Sequence, residues 1–241
     1  MLHQAKSNLL SIKLWIGKRL FGQVGQSGVR IRPHRIIKGP YVHHHRDGLY
    51  LELGYINGID LQAAWLGGCL SQDQKRHIIT EVSGYINQLR SLEPPCKGIV
   101  SSADLEACHY HRIGSSTFGP FNEHAEFHSF LRRHIRIEDS TQVFSKEVTD
   151  CHSRWYRSCF THADLCPRNI IVDNGKVAAV IDWESGGWYP EYWEYTKPHV
   201  SQIEMPEWYE GLKSAMARYD VELRAERTPW RQCDQPGIPL G

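Results

Sequence analysis

Alternating apolar and polar positions predict β-structure in the first quarter of the chain. Residues 20–32 contain two short extended stretches around a glycine-containing turn, and a third stretch follows at 34–39. The run LYLELGYI at 49–56 has a period close to two and ends at Asn57-Gly58, which is a turn signal. These segments predict a small β-rich N-terminal part.

Three- and four-residue spacing of apolar positions predicts a helix soon afterwards. Ser71 and Gln74 form a capping-box pattern that opens a helix through about Leu92, and Pro94-Pro95 ends it. The positions predicted to face the core are Ile78, Val82, Tyr85, Ile86 and Leu89.

The second half of the chain combines helices with a short β insertion. Residues 158–184 predict two or three strands around an Asn174-Gly175 hairpin turn. Asn122 is expected to cap a further helix, and helices are also expected from Pro190 and from Pro206 to about Arg227. This order predicts one domain of 1–241, with a reduced N-terminal lobe at about 16–56, a connection at 57–70, a larger lobe at 71–227 and a tail at 228–241.

Composition narrows the class of protein. The chain has 241 residues, of which 41% are apolar, so it can bury a sizeable core. The 28 Lys and Arg residues nearly balance the 27 Asp and Glu residues, which leaves a formal net charge of +1. A near-neutral chain lacks the electrostatic footprint of a nucleic-acid binder and gives no reason to expect binding to anionic membranes.

Cysteine usage and the N-terminal segment indicate the compartment. The seven cysteines are scattered singly without a CxxC pair, which argues against a zinc ribbon or a redox dithiol and fits reduced thiols. The apolar stretch at 9–20 is too short, and too interrupted by Lys13, Lys18 and Arg19, to span a bilayer. A cytoplasmic protein is expected, and its oligomeric state stays open.

The run FTHADLCPRNIIVDNGKVAAVIDWE at 160–184 contains the candidate chemistry. His162, Asp164 and Asn169 lie in a loop between two short apolar strands, and Asp182 follows the next strand. The thirteen positions from Asn169 to Asp182 suffice for a strand, a tight turn and a returning strand, which would bring the two residues together. Two oxygen ligands at a strand end suit Mg²⁺, and Asp164 beside them could accept the proton of an attacking hydroxyl.

Each of these residues alone has an ordinary structural interpretation. An aspartate after a strand is usually a turn or cap residue, and a single histidine is more often packed in a core than catalytic. The four residue types at fixed spacing, in a strand–loop–strand context, favour a phosphotransferase.

The same stretch resembles the aminoglycoside phosphotransferase / choline kinase-like family of the protein-kinase-like superfamily, and GGWYPEYWEY at 186–195 is similar to its fungal members. The resemblance implies a two-lobed α+β protein-kinase-like fold, ATP and Mg²⁺ as cofactors, and a small-molecule hydroxyl acceptor. It also implies that Asp164 is the catalytic base, that Asn169 and Asp182 bind the metal, and that His162 supports the catalytic loop. Ala163 stands where the family commonly has glycine.

The resemblance is weaker in the N-terminal part. It implies a phosphate-covering loop at Gly22, Gly25 and Gly28, although a hairpin explains such glycines equally. Lys38 matches the strand lysine that pairs with nucleotide phosphates. The hinge near Tyr55 and Ile56 would meet the adenine edge with backbone groups.

One departure from the family concerns the segment between Lys38 and Leu49. Members of the family have a helix and a strand there, and the helix carries a glutamate that pairs with the lysine. The ten residues GPYVHHHRDG contain no glutamate and are too few for a mean helix of about 11 residues plus a strand of about 5. The expected activity is therefore impaired transfer from ATP to a hydroxyl. The alternative is a catalytically inactive protein that binds a nucleotide or a partner.

The aromatic residues between positions 183 and 195 leave two interpretations open. They could form a cage for a cationic substrate, or they could pack in the core beside the last helices. The set is Trp183, Trp188, Tyr189, Tyr192, Trp193 and Tyr195.

Overall fold

The chain forms two compact units, Met1–Asn57 and Gly58–Gly241. The computed structural model describes residues 13, 18–20, 23–24, 28–33, 35–41, 49–109, 117–197 and 205–232. The larger unit contains the loop that carries the candidate chemistry.

The first unit is built on an antiparallel sheet in the order β1-β2-β3-β4. Its strands are β1 (Gln23–Val24), β2 (Gly28–Arg32), β3 (Arg35–Tyr41) and β4 (Leu49–Gly54). Strand β3 pairs directly with β4, so the segment predicted to lack a helix joins two neighbouring strands. Gly39 and Pro40 continue β3 in this arrangement, and residues 42–48 lie outside the described part of the chain.

The second unit begins with β5 (Ile59–Asp60), α1 (Leu61–Leu66) and the long helix α2 (Gln72–Arg90). The capping box predicted for α2 is present, because the Ser71 hydroxyl accepts from the Gln74 N–H while the Gln74 side chain accepts from the Ser71 N–H. The segment predicted as a connection thus contributes a strand and a helix to the larger unit. The buried residues Leu61 and Trp65 of α1 pack in one core cluster with α2.

Two three-stranded sheets carry the site. One has the order β5-β8-β9 and the other the order β6-β10-β7. Their remaining strands are β6 (Ser101–Ser102), β7 (Ser158–Thr161), β8 (Ile170–Asp173), β9 (Lys176–Val180) and β10 (Gly187–Pro190). The Asn174-Gly175 turn joins β8 to β9 with positive φ at both residues, as the sequence predicts for a tight hairpin.

Short helices surround these sheets. They are α3 (His124–Leu131), α4 (Ser140–Val143), α5 (Lys146–His152), α6 (Trp193–Thr196), α7 (Pro206–Ala215) and α8 (Asp220–Gln232). None of the helices within the described ranges has both the length and the apolar character that crossing a bilayer requires.

Three sequence expectations about the helices differ from the structure. Glu123, rather than Asn122, is the N-cap of α3. Pro190 ends β10 instead of starting a helix, because β10 is the central strand of its sheet and continues its pairing with β7 up to Pro190. Tyr85 is 38% exposed although its spacing places it beside the buried Val82 and Ile86.

The last part of the predicted helical region also differs. The single helix expected from Pro206 to about Arg227 is two helices, α7 and α8, because the chain becomes extended at Met216. The side chain of Asp220, the first residue of α8, accepts hydrogen bonds from Tyr195 and Arg218 and so stabilises the new start. Helix α8 continues to Gln232, so five residues of the predicted tail are helical, and residues 233–241 lie outside the described part.

The aromatic run forms core rather than a substrate cage. Tyr189, Tyr192, Trp193 and Tyr195 are fully buried. The chain's own Lys197 contacts this core, with its Nζ 3.5 Å from the centroid of the Trp193 ring. Trp183 is the exception, since 43% of it is exposed.

Candidate active site

The loop between β7 and β8 places His162, Asp164 and Asn169 close together. Strand β7 enters the loop from the sheet it forms with β10, and a short 3₁₀ turn at Pro167–Asn169 leads into β8. His162 is fully buried, Asn169 is nearly so, and Asp164 is half-buried. The loop therefore presents the Asp164 carboxylate from a rigid base.

The Asn169 side chain is hydrogen-bonded to Asp164. The Asn169 amide nitrogen donates to the Asp164 carbonyl oxygen at 2.8 Å and to its carboxylate Oδ2 at 3.1 Å. Because the amide nitrogen is used as the donor, the amide oxygen is the atom that can serve a metal ion. This contact fixes the position of the Asp164 carboxylate relative to that oxygen.

The hairpin brings Asp182 to the same place, as its spacing predicts. Ile170 pairs with Val180, and the Ile181 N–H donates to the Asn169 carbonyl oxygen at 2.8 Å. Asp182 is the next residue, so it lies beside Asn169 at the end of the ladder. Its backbone is left-handed, with φ 68° and ψ 54°, a conformation that aspartate tolerates better than most residues.

His162 connects the loop to the residue before Asp182. Its Nδ1 accepts from the Asp164 N–H at 3.3 Å, so Nε2 carries the proton and donates to the Ile181 carbonyl oxygen at 2.9 Å. Burial lowers the pKa of His162, although the bond to Ile181 and the charges of Asp164 and Asp182 oppose this shift. The neutral ring therefore holds both carboxylate-bearing segments in register, as expected for a residue that supports the loop.

The Trp183 ring packs against His162, with centroids 4.5 Å apart. Its indole N–H donates to the Val180 carbonyl oxygen at 2.9 Å, which fixes the ring beside the hairpin. Trp183 thus covers one side of the supporting histidine.

Glu194 is a site residue that sequence reasoning missed. Its Oε2 accepts from the backbone N–H of His162 at 2.6 Å, from a position 32 residues away in the chain. Burial raises the pKa of Glu194 to about 7, while the backbone N–H groups of His162 and Ala163 favour the charged form. The aromatic neighbours Trp193 and Tyr195 indicate that this acid is buried and needs a partner, but they do not identify His162 as that partner.

Ala163 takes the position at which the family commonly has glycine. Its φ is 66°, and it is fully buried. The left-handed conformation explains why glycine suits this position, since alanine pays a steric cost of about 1–2 kcal/mol there. Alanine still fits, because its methyl group packs in the core.

The site residues proposed for the N-terminal part lie in the first unit. Gly28 in β2 pairs directly with Lys38 in β3, and Lys38 pairs in turn with Leu51 in β4. Tyr55 is half-buried and Ile56 is exposed just after β4. Gly22 and Gly25 lie outside the described residues.

The donor set at the hairpin end fits a magnesium ion. The Asn169 amide oxygen and the Asp182 carboxylate are hard oxygen donors, and Mg²⁺ is usually held by one or two protein oxygens of this kind together with phosphates. Asp182 is exposed, so phosphate oxygens can approach it.

A second group of potential metal ligands is a structural network. Cys151, His152 and Glu226 place their ligand atoms within 4.8 Å of one another, and all three are buried. The Arg132 guanidinium donates to His152 Nδ1 at 2.9 Å, which leaves the proton on Nε2, and Nε2 faces Glu226 at 3.3 Å. Lys197 Nζ also lies 3.9 Å from Glu226. A metal ion would have to displace that proton and lie beside two cations, so the group is not a metal centre.

Comparison with known proteins shows which family the chain belongs to. The family model described as the phosphotransferase enzyme family, APH, matches residues 23–228. No curated protein matches the chain.

Two solved structures of aminoglycoside phosphotransferase APH(4)-Ia share the fold. One is 13% identical over 92% of this chain and 72% of the other, with a TM-score of 0.51. The second, a thermostable mutant in a ternary complex with ADP and hygromycin B, is 13% identical over 90% of this chain and 71% of the other, with a TM-score of 0.50. The family match covers most of the chain, and the α+β architecture is that of the protein-kinase-like phosphotransferases. The chain is therefore a member of the phosphotransferase enzyme family.

Proposed function

We propose that this protein transfers the γ-phosphoryl group of ATP to a hydroxyl of a small molecule. One observation carries the proposal: the Asn169 amide is bonded to the Asp164 carboxylate, while the Asn169 backbone pairs with the residue before Asp182. This arrangement holds one carboxylate for the acceptor hydroxyl beside two oxygen donors for a metal ion.

Asp164 orients the acceptor hydroxyl and takes up its proton. The half-buried side chain is reachable from solvent, and its Oδ2 is held by Asn169. His162 and Glu194 act through the backbone of the loop and are positioning residues.

Asn169 and Asp182 hold Mg²⁺. When bound there, the ion neutralises charge on the phosphates of the nucleotide. The ladder between β8 and β9 sets the separation of these two ligands, because they stand at the ends of paired strands.

The first unit supplies the nucleotide-binding groups in this proposal. Lys38 pairs with the phosphates, and the glycine turn at Gly22, Gly25 and Gly28 covers them with backbone N–H groups. Backbone groups near Tyr55 and Ile56 meet the adenine edge. The adjacency of Gly28 and Lys38 on neighbouring strands supports a shared role at the phosphates.

The acceptor class follows from the family and from the chemistry of Asp164. A carboxylate placed to accept a proton beside the phosphates suits a hydroxyl acceptor. The similar protein APH(4)-Ia has been solved as a ternary complex with ADP and hygromycin B, which supports a small-molecule acceptor. We propose a hydroxyl-bearing small molecule as the acceptor for this chain.

The test is an ATP turnover assay with the purified chain across a panel of small alcohols, sugars and aminoglycosides. Asp164→Asn keeps the shape of the side chain and removes its basicity, so turnover should fall while the melting temperature is retained. Equal turnover in Asp164→Asn, with any acceptor, would contradict the assigned role.

A second candidate is a catalytically inactive protein that binds a nucleotide or a partner. It is favoured by the short link between β3, which ends at Tyr41, and β4, which begins at Leu49. Seven residues cannot contain a mean helix of about 11 residues, and the sequence from 39 to 48 offers no glutamate for Lys38. Loose positioning of phosphate by even 1 Å can cost about 100-fold in rate.

Two measurements separate these candidates. A melting-temperature rise with ATP that depends on Mg²⁺, without turnover, supports the inactive protein. Replacing residues 42–48 by a helix-and-strand insertion should raise turnover if the short link limits a genuine enzyme. An unchanged rate in a folded insertion variant would show that the short link is sufficient.

A further inference from the structure

A pocket outside the proposed catalytic centre lies between α2 and β9. It has a volume of about 300 Å³, and both its walls belong to the second unit. We call it the α2–β9 pocket. Helix α2 contributes Val82, Tyr85, Ile86, Gln88 and Leu89, strand β9 contributes Val177, Ala178, Ala179 and Val180, and His162, Leu165 and Trp183 complete the lining. Asp164, Asn169 and Asp182 are not among these residues.

The lining of the α2–β9 pocket selects against charged ligands. Among the described lining residues none carries an ionised side chain, since His162 Nδ1 accepts the Asp164 N–H and the ring is neutral. A phosphate or a nucleotide would lose its hydration there without gaining a counter-charge from these residues. The pocket is therefore distinct in chemistry from the proposed Mg²⁺ and nucleotide site.

The aromatic residues in its lining favour an aromatic, and therefore planar, ligand. The His162 and Trp183 rings both line the pocket, with centroids 4.5 Å apart and ring planes tilted by 56°. A cavity of about 150 Å³ accommodates benzene, so the observed volume suits a two-ring molecule. Tyr85 and Gln88 are both exposed and can supply one hydroxyl and one amide to a polar substituent.

We propose that the α2–β9 pocket is a binding site for a small, uncharged, planar aromatic molecule with a single hydrogen-bonding group. Such a ligand would contact the ring of His162, which bonds both the Asp164 N–H and the Ile181 carbonyl oxygen. It would thus lie against the support of the catalytic loop without touching the proposed catalytic carboxylates.

The test measures binding of 2-naphthol to the full chain by its fluorescence or by calorimetry. Val177→Phe places a ring in the pocket and should weaken binding at least tenfold. Lys176→Phe is the matched control, because it puts the same ring on the neighbouring residue of β9, which does not line the pocket. Binding to Lys176→Phe should stay within twofold of the unsubstituted chain.

The outcomes decide the proposal. Saturable one-to-one binding that Val177→Phe weakens, and that saturating Mg·ATP does not displace, supports the site. No saturable binding up to the solubility of 2-naphthol, equal affinity in Val177→Phe, or displacement by Mg·ATP overturns it. If circular dichroism shows that Val177→Phe is unfolded, Ala179→Phe takes its place under the same criteria. The measurement needs no turnover, so it stands apart from the proposed phosphotransferase activity.

Discussion

The carboxylate of Glu194 accepts a hydrogen bond from the backbone N–H of His162 at 2.6 Å, and so links the aromatic core to the loop that carries Asp164. Its other oxygen, Oε1, is buried and without a hydrogen-bond partner among the described residues. The same carboxylate therefore positions the loop and is destabilised by burial when it is charged. Protonation of Glu194 should therefore change both the stability of the chain and the bond to the loop.

The first prediction concerns Glu194→Gln. Burial raises the pKa of Glu194 in the folded chain to about 7, above the ordinary value of 4.5. The folded state keeps the proton that the unfolded state releases, so the stability contributed by Glu194 is complete below pH 4.5 and is lost as the pH rises to about 7. The free energy of unfolding of the unsubstituted chain, taken relative to that of Glu194→Gln, should therefore fall between pH 4.5 and about 7 by on the order of 3 kcal/mol.

Denaturant unfolding of both proteins at pH 4.5, 5.5, 6.5 and 7.5 checks this. If the difference in the free energy of unfolding between the unsubstituted chain and Glu194→Gln is the same at all four pH values, burial does not raise the pKa of Glu194. Glu194→Ala, which loses the acceptor for the His162 N–H, should also lower kcat more than Glu194→Gln does.

A second prediction separates Asp182 from Asp164. Asp182→Ala removes a proposed metal ligand, so Mg²⁺-dependent nucleotide binding and turnover should both be lost. Asp164→Ala removes the proposed base, so turnover should fall by about 10²–10⁴-fold while nucleotide binding is retained. Calorimetric titration with ATP in the presence and absence of Mg²⁺ distinguishes the two variants. Equal loss of binding in both would show that the division of roles is wrong.

A third prediction concerns acid stability through His124. The ring is buried against Ser158, and its Nδ1 has no hydrogen-bond partner among the described residues. Burial lowers the pKa of His124 to about 4, so the stability it contributes is lost as the pH falls from 6.5 towards 4. His124→Phe keeps a ring of similar shape and should remove this acid-dependent loss, up to about 3 kcal/mol.

Urea unfolding of the unsubstituted chain and His124→Phe at pH 7 and pH 4.5 measures the effect. Parallel pH profiles for the unsubstituted chain and His124→Phe would contradict the assignment.

A fourth prediction compares two glycines. A Cβ on Gly187 would lie 2.2 Å from the Ser101 carbonyl oxygen, because β10 and β6 approach closely there. Gly187→Ala should lower the free energy of unfolding by at least about 2 kcal/mol through overpacking. Gly84 in α2 has open space where a methyl group would lie, so Gly84→Ala should raise stability by roughly 0.5–1 kcal/mol. Thermal melts of both variants test this, and two shifts of the same sign would contradict it.

The site was predictable where its residues are close in sequence. The spacing from Asn169 to Asp182 and the Asn174-Gly175 turn determine a hairpin, so its closure follows from local rules. The capping box at Ser71 and Gln74 is equally local, and it is present. These signals act over a few residues and depend little on tertiary context.

Features that depend on distant partners were not predictable in the same way. Pro190 looks like a helix start, but pairing of β10 with β7 makes it the end of a strand. Tyr85 has the spacing of a buried residue, but the pocket between α2 and β9 leaves it exposed. The contact from Glu194 to His162 depends on packing between segments 32 residues apart, which no local pattern encodes.

The β8–β9 hairpin has a consequence for the order in which the site forms. Closing the 13-residue span between Asn169 and Asp182 costs less chain entropy than closing the 32-residue span between His162 and Glu194. For flexible loops the difference is about 0.8 kcal/mol, roughly a fourfold advantage in closure probability. The two proposed metal ligands can therefore meet early in folding, and the loop that carries Asp164 is anchored to the aromatic core afterwards.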